Sequence, residues 1–182
     1  MMSTDGVRAP RSIINGLDIR GILEEILADN NPSEILWFGA KLRIYDNNEE
    51  IKQKSQAAVH IQSAFMNFIQ KQKIQFIKVG YLRARESEPC VNCNEKVWRL
   101  AEKGVDVGLA VRMLTEANET TELVIITSDT DLVPAFRAAK KNGASLMHIG
   151  YENRPITALS RISDKTRTIT LPLINKYNSR LL

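Results

Sequence analysis

Asp106, Asp129 and Asp131 are the side chains in this sequence best placed by type and spacing to do chemistry. The last two lie one residue apart in Val124-Ile125-Ile126-Thr127-Ser128-Asp129-Thr130-Asp131-Leu132-Val133-Pro134. Carboxylates this close repel unless a cation or a proton lies between them. Three acids brought to one place offer hard oxygen donors, the set that holds Mg²⁺ or Mn²⁺ with water for work on phosphates. Each also has a structural reading, with Asp131 as a helix cap, Asp129 solvated and Asp106 a cap or surface acid. A second pair is Cys90 and Cys93, whose two-residue gap suits one tetrahedral Zn²⁺. Two thiolates are half of such a site. The rest would come from a second chain's cysteines, which favours a homodimer, or from His60 or His148; otherwise these are two reduced loop thiols.

The elements that must position these residues follow from hydrophobic period. The unbroken apolar run before Thr127 reads as a central parallel strand covered on both faces, with Pro134 in the first turn of the next helix. Asp129 and Asp131 then stand at the strand's carboxyl end, where open α/β sheets bind ligands. Asp106 begins the preceding helix, whose predicted buried face is Val107, Ala110, Val111 and Leu114. Earlier in the chain, Ser12-Ile13-Ile14 is a short strand ending at Asn15-Gly16. A helix follows, capped by Asp18, with Ile19, Ile22, Leu23, Ile26 and Leu27 on one face. Strands at 35–40 and 74–79 flank a long helix marked by Ala58, Ile61, Phe65 and Phe68 or Ile69. Residues 80–104 show no period of either kind and read as an inserted loop. Eight Lys or Arg residues against four Glu between Lys71 and Lys103 are taken as ordinary solvated charge. After Asn142-Gly143 come a strand at 144–149, a short helix near 156–162 and a last strand near 168–171. The alternation predicts an α/β fold with a mostly parallel sheet.

Composition sets the outer bounds. With 182 residues and 43% hydrophobic content the chain can bury the core of a single domain. We expect a flexible leader at 1–11, one domain at 12–171 and a tail at 172–182. A net charge of +4 and a pI near 9.1 are compatible with a polyanionic partner without requiring one. No apolar run reaches the length of a membrane span, and two cysteines imply no disulfide framework, so a cytoplasmic protein is expected.

Two motifs in order carry a resemblance. Glu102-Lys103-Gly104-Val105-Asp106-Val107, followed by Ser128-Asp129-Thr130-Asp131-Leu132-Val133-Pro134-Ala135, resembles the NYN branch of the PIN-like nucleases. The Cys-x-x-Cys excursion is similar to bacterial members of the LabA-like group. The resemblance implies a Rossmann-like, three-layer α/β domain whose acidic pocket binds Mg²⁺ or Mn²⁺ and hydrolyses RNA phosphodiesters. It assigns the metal to Asp106, Asp129 and Asp131, with Asp18, Ser128 and Thr130 in support. Lys103, Arg112, Arg137 and Lys140 would contact the RNA backbone, or be plain surface charge. Where the family's first strand ends in Asp-Gly-x-Asn, this chain has Asn15-Gly16-Leu17-Asp18, so the two polar side chains look exchanged. Asn15 could offer a metal only a neutral carbonyl oxygen, and Asp18 could serve as a displaced ligand. Some relatives also have an acid where this chain has Arg112.

Two further readings stand beside the metal-dependent ribonuclease. One is a non-catalytic RNA- or protein-binding module of the same fold, raised by Asn15. The other is a haloacid-dehalogenase-like phosphatase, raised by strand-Asp-x-Asp with one Asp as nucleophile. Its motif normally lies near the N-terminus, and only about fifty residues follow Asp131 here.

Overall fold

The computed structural model describes residues 16–28, 30–46, 48–153 and 157–179. The strand expected at 12–14, and Asn15 with it, lie outside the described residues. Helix α1 (Ile19–Leu27) is capped as expected, Asp18 Oδ1 accepting the Gly21 N–H at 2.8 Å, and it buries Ile22, Leu23 and Leu27. Strand β1 (Leu36–Lys41), helix α2 (Glu49–Lys71) and strand β2 (Gln75–Glu86) follow. β1 and β2 pair in parallel, with Leu36 opposite Gln75. Asn48 caps α2 through the Ile51 N–H, and the helix buries Ile51, Ser55 and Ile69 while Ile61 faces outward. Ser55 is tolerated inside because its hydroxyl accepts the Tyr45 N–H and donates to the Lys52 carbonyl.

The region expected to be an inserted loop is instead a ribbon. β2 continues to Glu86, and β3 (Trp98–Lys103) returns antiparallel along it, from Glu86 opposite Trp98 to Tyr81 opposite Lys103. A period of two was present in Tyr81-Leu82-Arg83-Ala84-Arg85. It is hard to see because the outward residues are cations and the inward ones are short. Leu82 is buried and Ala84, Trp98 and Leu100 half-buried on the face toward α2, whose Lys54 donates to the Trp98 carbonyl at 3.1 Å.

Helix α3 (Val105–Glu116) leads to β4 (Glu122–Ile126), a 3₁₀ turn (Thr130–Leu132) and α4 (Val133–Lys141), with Pro134 in the first turn of α4. Strand β5 (Ser145–Tyr151), helix α5 (Thr157–Ile162), strand β6 (Lys165–Ile169) and helix α6 (Leu171–Lys176) complete the order. The fold class is α/β. Among the described residues the strands form two three-stranded sheets, β1-β2-β3 and an all-parallel β4-β5-β6, where one sheet was expected. In the second sheet β5, not β4, is central. Leu146, Met147, His148 and Ile149 are consecutively buried, as in a parallel strand covered on both faces. Met113, Ile125, Leu132, Phe136, Leu146 and Leu159 form the core on one side, and Leu27, Met147, Ile149 and Ile169 that on the other.

The buried face of α3 also differs from expectation. Met113 is buried and Leu109 and Ala110 pack on the core, whereas Val107, Val111 and Leu114 are exposed. Gly108 is the reason, because it lets the helix lie directly on Val79 of β2, where any Cβ would collide. That contact turns the Leu109–Met113 side inward. Residues expected in a tail form α6, capped by Thr170, and close on α1: Tyr177 Oη donates to Glu25 Oε2 at 2.7 Å, and Asp18 N donates to the Tyr177 carbonyl at 2.9 Å.

Candidate functional site

Asp106 owes its position to two glycines. Gly80 in β2 has φ +62° beside an irregularity in the β1–β2 register, and a Cβ there would run into the Lys103 carbonyl oxygen. Gly104, at φ +79°, is the N-cap of α3 and lies against Gly80. The chain can therefore turn from β3 straight into α3 over the carboxyl end of the β1–β2 pairing. Asp106 is exposed in the first turn, where a carboxylate is favoured by the helix dipole.

Asp129 and Asp131 follow β4. Asp129 is half-buried; its Oδ1 accepts the Asp131 N–H at 2.8 Å, and its own N–H donates to Thr127 Oγ1 at 3.1 Å. Asp131 is exposed in the 3₁₀ turn, so the expected cap is Asp129, not Asp131. Ser128 and Thr130 are exposed beside them. His148 anchors this segment from below: buried in β5, it donates from Nε2 to the Thr127 carbonyl at 2.9 Å, and Ser160 Oγ lies 3.2 Å from Nδ1. Both ring nitrogens are thus engaged, and His148 is not a free zinc ligand. Helix α3 packs against the 3₁₀ turn, with Ala110, one turn beyond Asp106, on the core that contains Leu132.

The three acids sit on neighbouring segments but are not drawn into one coordination group. Among the described residues no three His, Cys, Asp or Glu side chains are placed to share an ion. The donor chemistry nevertheless fits a hard cation. Among the described residues no ion pair neutralises Asp106, Asp129 or Asp131, and Mg²⁺ is commonly held by one or two carboxylates with water filling its shell.

Other expected members are elsewhere. Asp18 is not at this edge. It caps α1 in a cleft shared with Lys71, Gln72 and Lys73, the turn into the amino end of β2. The paired part of β2 from Gln75 to Gly80 separates the two ends by roughly 17 Å at about 3.3 Å per residue, so Asp18 is no displaced ligand for Asp106. Arg112 is committed to Glu34 and Glu116, at 3.7 and 3.2 Å, and Lys140 to Asp164 at 2.5 Å and the Ile162 carbonyl. A phosphate at either cation would compete with these surface pairs. Arg137 and Lys103 are exposed without ion pairs among the described residues.

Sequence reasoning missed Arg83, Arg85 and Arg99. They share the outward face of the ribbon with Tyr81, Ala101 and Lys103, in cross-strand ranks 81–103, 83–101 and 85–99. The alternation Tyr-x-Arg-x-Arg was the available signal. At the far end, Cys90 and Cys93 are exposed in one turn. Cys90 Sγ receives the N–H groups of Asn92 and Cys93 and lies beside the Cys93 thiol, which together hold its own thiol below the usual range. Asn94, at φ +56°, donates to the Cys90 carbonyl at 2.8 Å.

A family model described as NYN domain matches residues 4–171. A solved structure of a protein of unknown function from Vibrio parahaemolyticus is similar at a TM-score of 0.43 and 13% identity, over 71% of this chain and 67% of that one. No curated protein matches the chain.

Proposed function

The chain belongs to the NYN domain family of PIN-like nucleases, and from that premise we propose that it is a metal-dependent ribonuclease acting at Asp106, Asp129 and Asp131. The observation that supports this most is the set of three carboxylates, on segments packed together, with no protein cation neutralising them among the described residues. Asp129 is already oriented by the Asp131 N–H, leaving its second oxygen for a ligand, while the carboxylates of Asp106 and Asp131 are exposed. Mg²⁺ or Mn²⁺ held there would supply an activated water and offset charge on the scissile phosphate. Ser128 and Thr130 offer hydroxyls to orient that water or the phosphate. Asn15 stands, by the family pattern, for a missing carboxylate; calorimetry of Asn15→Asp tests its place in the site, tighter metal binding supporting it and unchanged binding leaving it with Leu17 and Asp18 at the other end of β2.

The reading is tested by incubating labelled single-stranded and structured RNA with Mn²⁺, Mg²⁺ or EDTA. Asp129→Ala and Asp131→Ala should each lower cleavage by roughly 100-fold or more, the scale on which one electrostatic stabiliser matters. Metal binding followed by calorimetry should weaken in parallel. Unchanged metal binding in both variants would remove the site assignment.

A second reading is favoured by one observation, that no three acids share an ion position among the described residues. In it the domain binds RNA without cleaving it, and the same assay would show retention of RNA with no product under any ion. For Cys90 and Cys93 we propose half of a Zn²⁺ site. The N–H groups aimed at Cys90 Sγ are the arrangement that stabilises a thiolate ligand.

A further inference from the structure

Arg83, Arg85, Arg99 and Lys103 are four cations on one face of a two-stranded ribbon, and none has an ion-pair partner among the described residues. Arg85 stands directly opposite Arg99. Like charges across a strand pair destabilise it, so this face carries an electrostatic cost that the fold itself does not offset. Acids do occur on the ribbon, but Glu86 and Glu102 alternate to the other face, and Glu86 pairs with Lys96. The other half of the pattern is Tyr81, exposed at 54% in the rank nearest the body of the protein. Unpaired cations in ranks about 7 Å apart, ending at an exposed aromatic ring, are what single-stranded nucleic acid engages: phosphates on the cations, a base on the ring. Arginine suits the phosphates because its planar fork can donate two hydrogen bonds to one of them. The direction is also informative. Lys103, the last cation, is three residues before Asp106, a reach of at most about 10 Å.

We infer that the outward face of the β2–β3 ribbon is a track for single-stranded RNA, which Arg83, Arg85, Arg99 and Lys103 hold by its phosphates and Tyr81 by a base, leading the strand toward Asp106. This rests on the RNA reading above but not on cleavage. The track is neutralised only when a polyanion lies on it, so binding is steeply salt-dependent and indifferent to sequence.

The test is fluorescence anisotropy of the full chain with a labelled 15-nucleotide single-stranded RNA in EDTA, so that no cleavage intervenes. Four phosphate contacts predict a slope of log affinity against log salt near −3, at about −0.7 per contact on single strands. The triple variant Arg83→Ser, Arg85→Ser, Arg99→Ser should lose about 2 units of that slope and more than tenfold in affinity at low salt. Tyr81→Ala should weaken binding with the slope unchanged. Lys71→Ser, Lys141→Ser, Arg161→Ser removes the same charge elsewhere and should leave the slope as in the parent. All these side chains are exposed, and thermal melts confirm that the variants fold. The inference is overturned if the ribbon variant binds with the parent's slope and affinity, if the parent binds no RNA, or if poly-L-glutamate competes as well as RNA per charge, which would make the partner an acidic protein. A parent that binds through the ribbon but cleaves under no metal leaves this inference standing and removes the nuclease reading.

Discussion

Asp164 shows how a single carboxylate joins elements at the sheet edge opposite the acidic site. Its oxygens accept from Lys140 Nζ at 2.5 Å and from the Leu146 N–H at 2.9 Å, joining the end of α4 to the start of β5. The Lys140 ammonium, followed by the Leu146 N–H, holds the Asp164 carboxyl below its usual range. A carboxyl that loses its proton more readily in the folded chain stabilises the fold fully above the ordinary carboxyl range, and that contribution is lost as pH falls through the folded value. Asp164→Asn should therefore lower stability slightly near neutral pH, solvent screening the exposed pair, and flatten the acid limb of the stability curve, read by urea melts from pH 7 to 3. The same scale explains part of what the sequence hides. From sequence alone His148 reads as a possible metal ligand, because nothing in its neighbours along the chain announces Thr127 or Ser160 as its partners, 21 and 12 residues away.

Among the elements, those whose register is set locally were readable in advance. Asp18 with the apolar face of α1, Pro134 opening α4 and the strand before Thr127 all lie where period and capping place them. The ribbon and the buried side of α3 were not, because both depend on a crossing of backbones far apart in sequence. Gly80 and Gly104 meet there, and Gly108 meets Val79. At Gly80 a side chain faces both a left-handed φ and the Lys103 carbonyl, so Gly80→Ala should destabilise the chain by about 1–3 kcal/mol. It should also shift Asp106. Calorimetric unfolding combined with metal titration would register both effects, and a variant as stable as the parent would contradict the crossing described. The three acids were expected to share one ion position, and among the described residues they do not. Asp129 spends one oxygen on the Asp131 N–H, a turn contact that spacing cannot distinguish from a ligand contact.

For the molecule as a whole, the described chain closes on itself through its last helix, where Glu25 takes hydrogen bonds from both Lys176 and Tyr177. No described helix is long and apolar enough to cross a membrane. Under the zinc proposal, association between copies would fall to the ribbon tip. The chain has two cysteines and two histidines; His148 is engaged, and His60 is on α2 six residues beyond Lys54, the residue that touches Trp98, in the direction leading away from the tip. A tetrahedral Zn²⁺ at Cys90 and Cys93 would therefore take its other two thiolates from a second copy. Protein purified without chelator should carry one zinc per two chains, and Cys93→Ser or chelation should return it to a monomer by light scattering; a zinc-free monomer would dismiss the site. The ribbon has one more consequence. Because Tyr81 and Lys103 face each other across its first rung, the chain departs and returns at points about 5 Å apart. Everything beyond that rung enters and leaves by a single doorway, although its inner face, with Leu82 buried, packs on α2. Its outward face and tip can be exchanged for those of another hairpin without rethreading the sheet behind it, so recombination could retool that face while leaving the acidic edge in place.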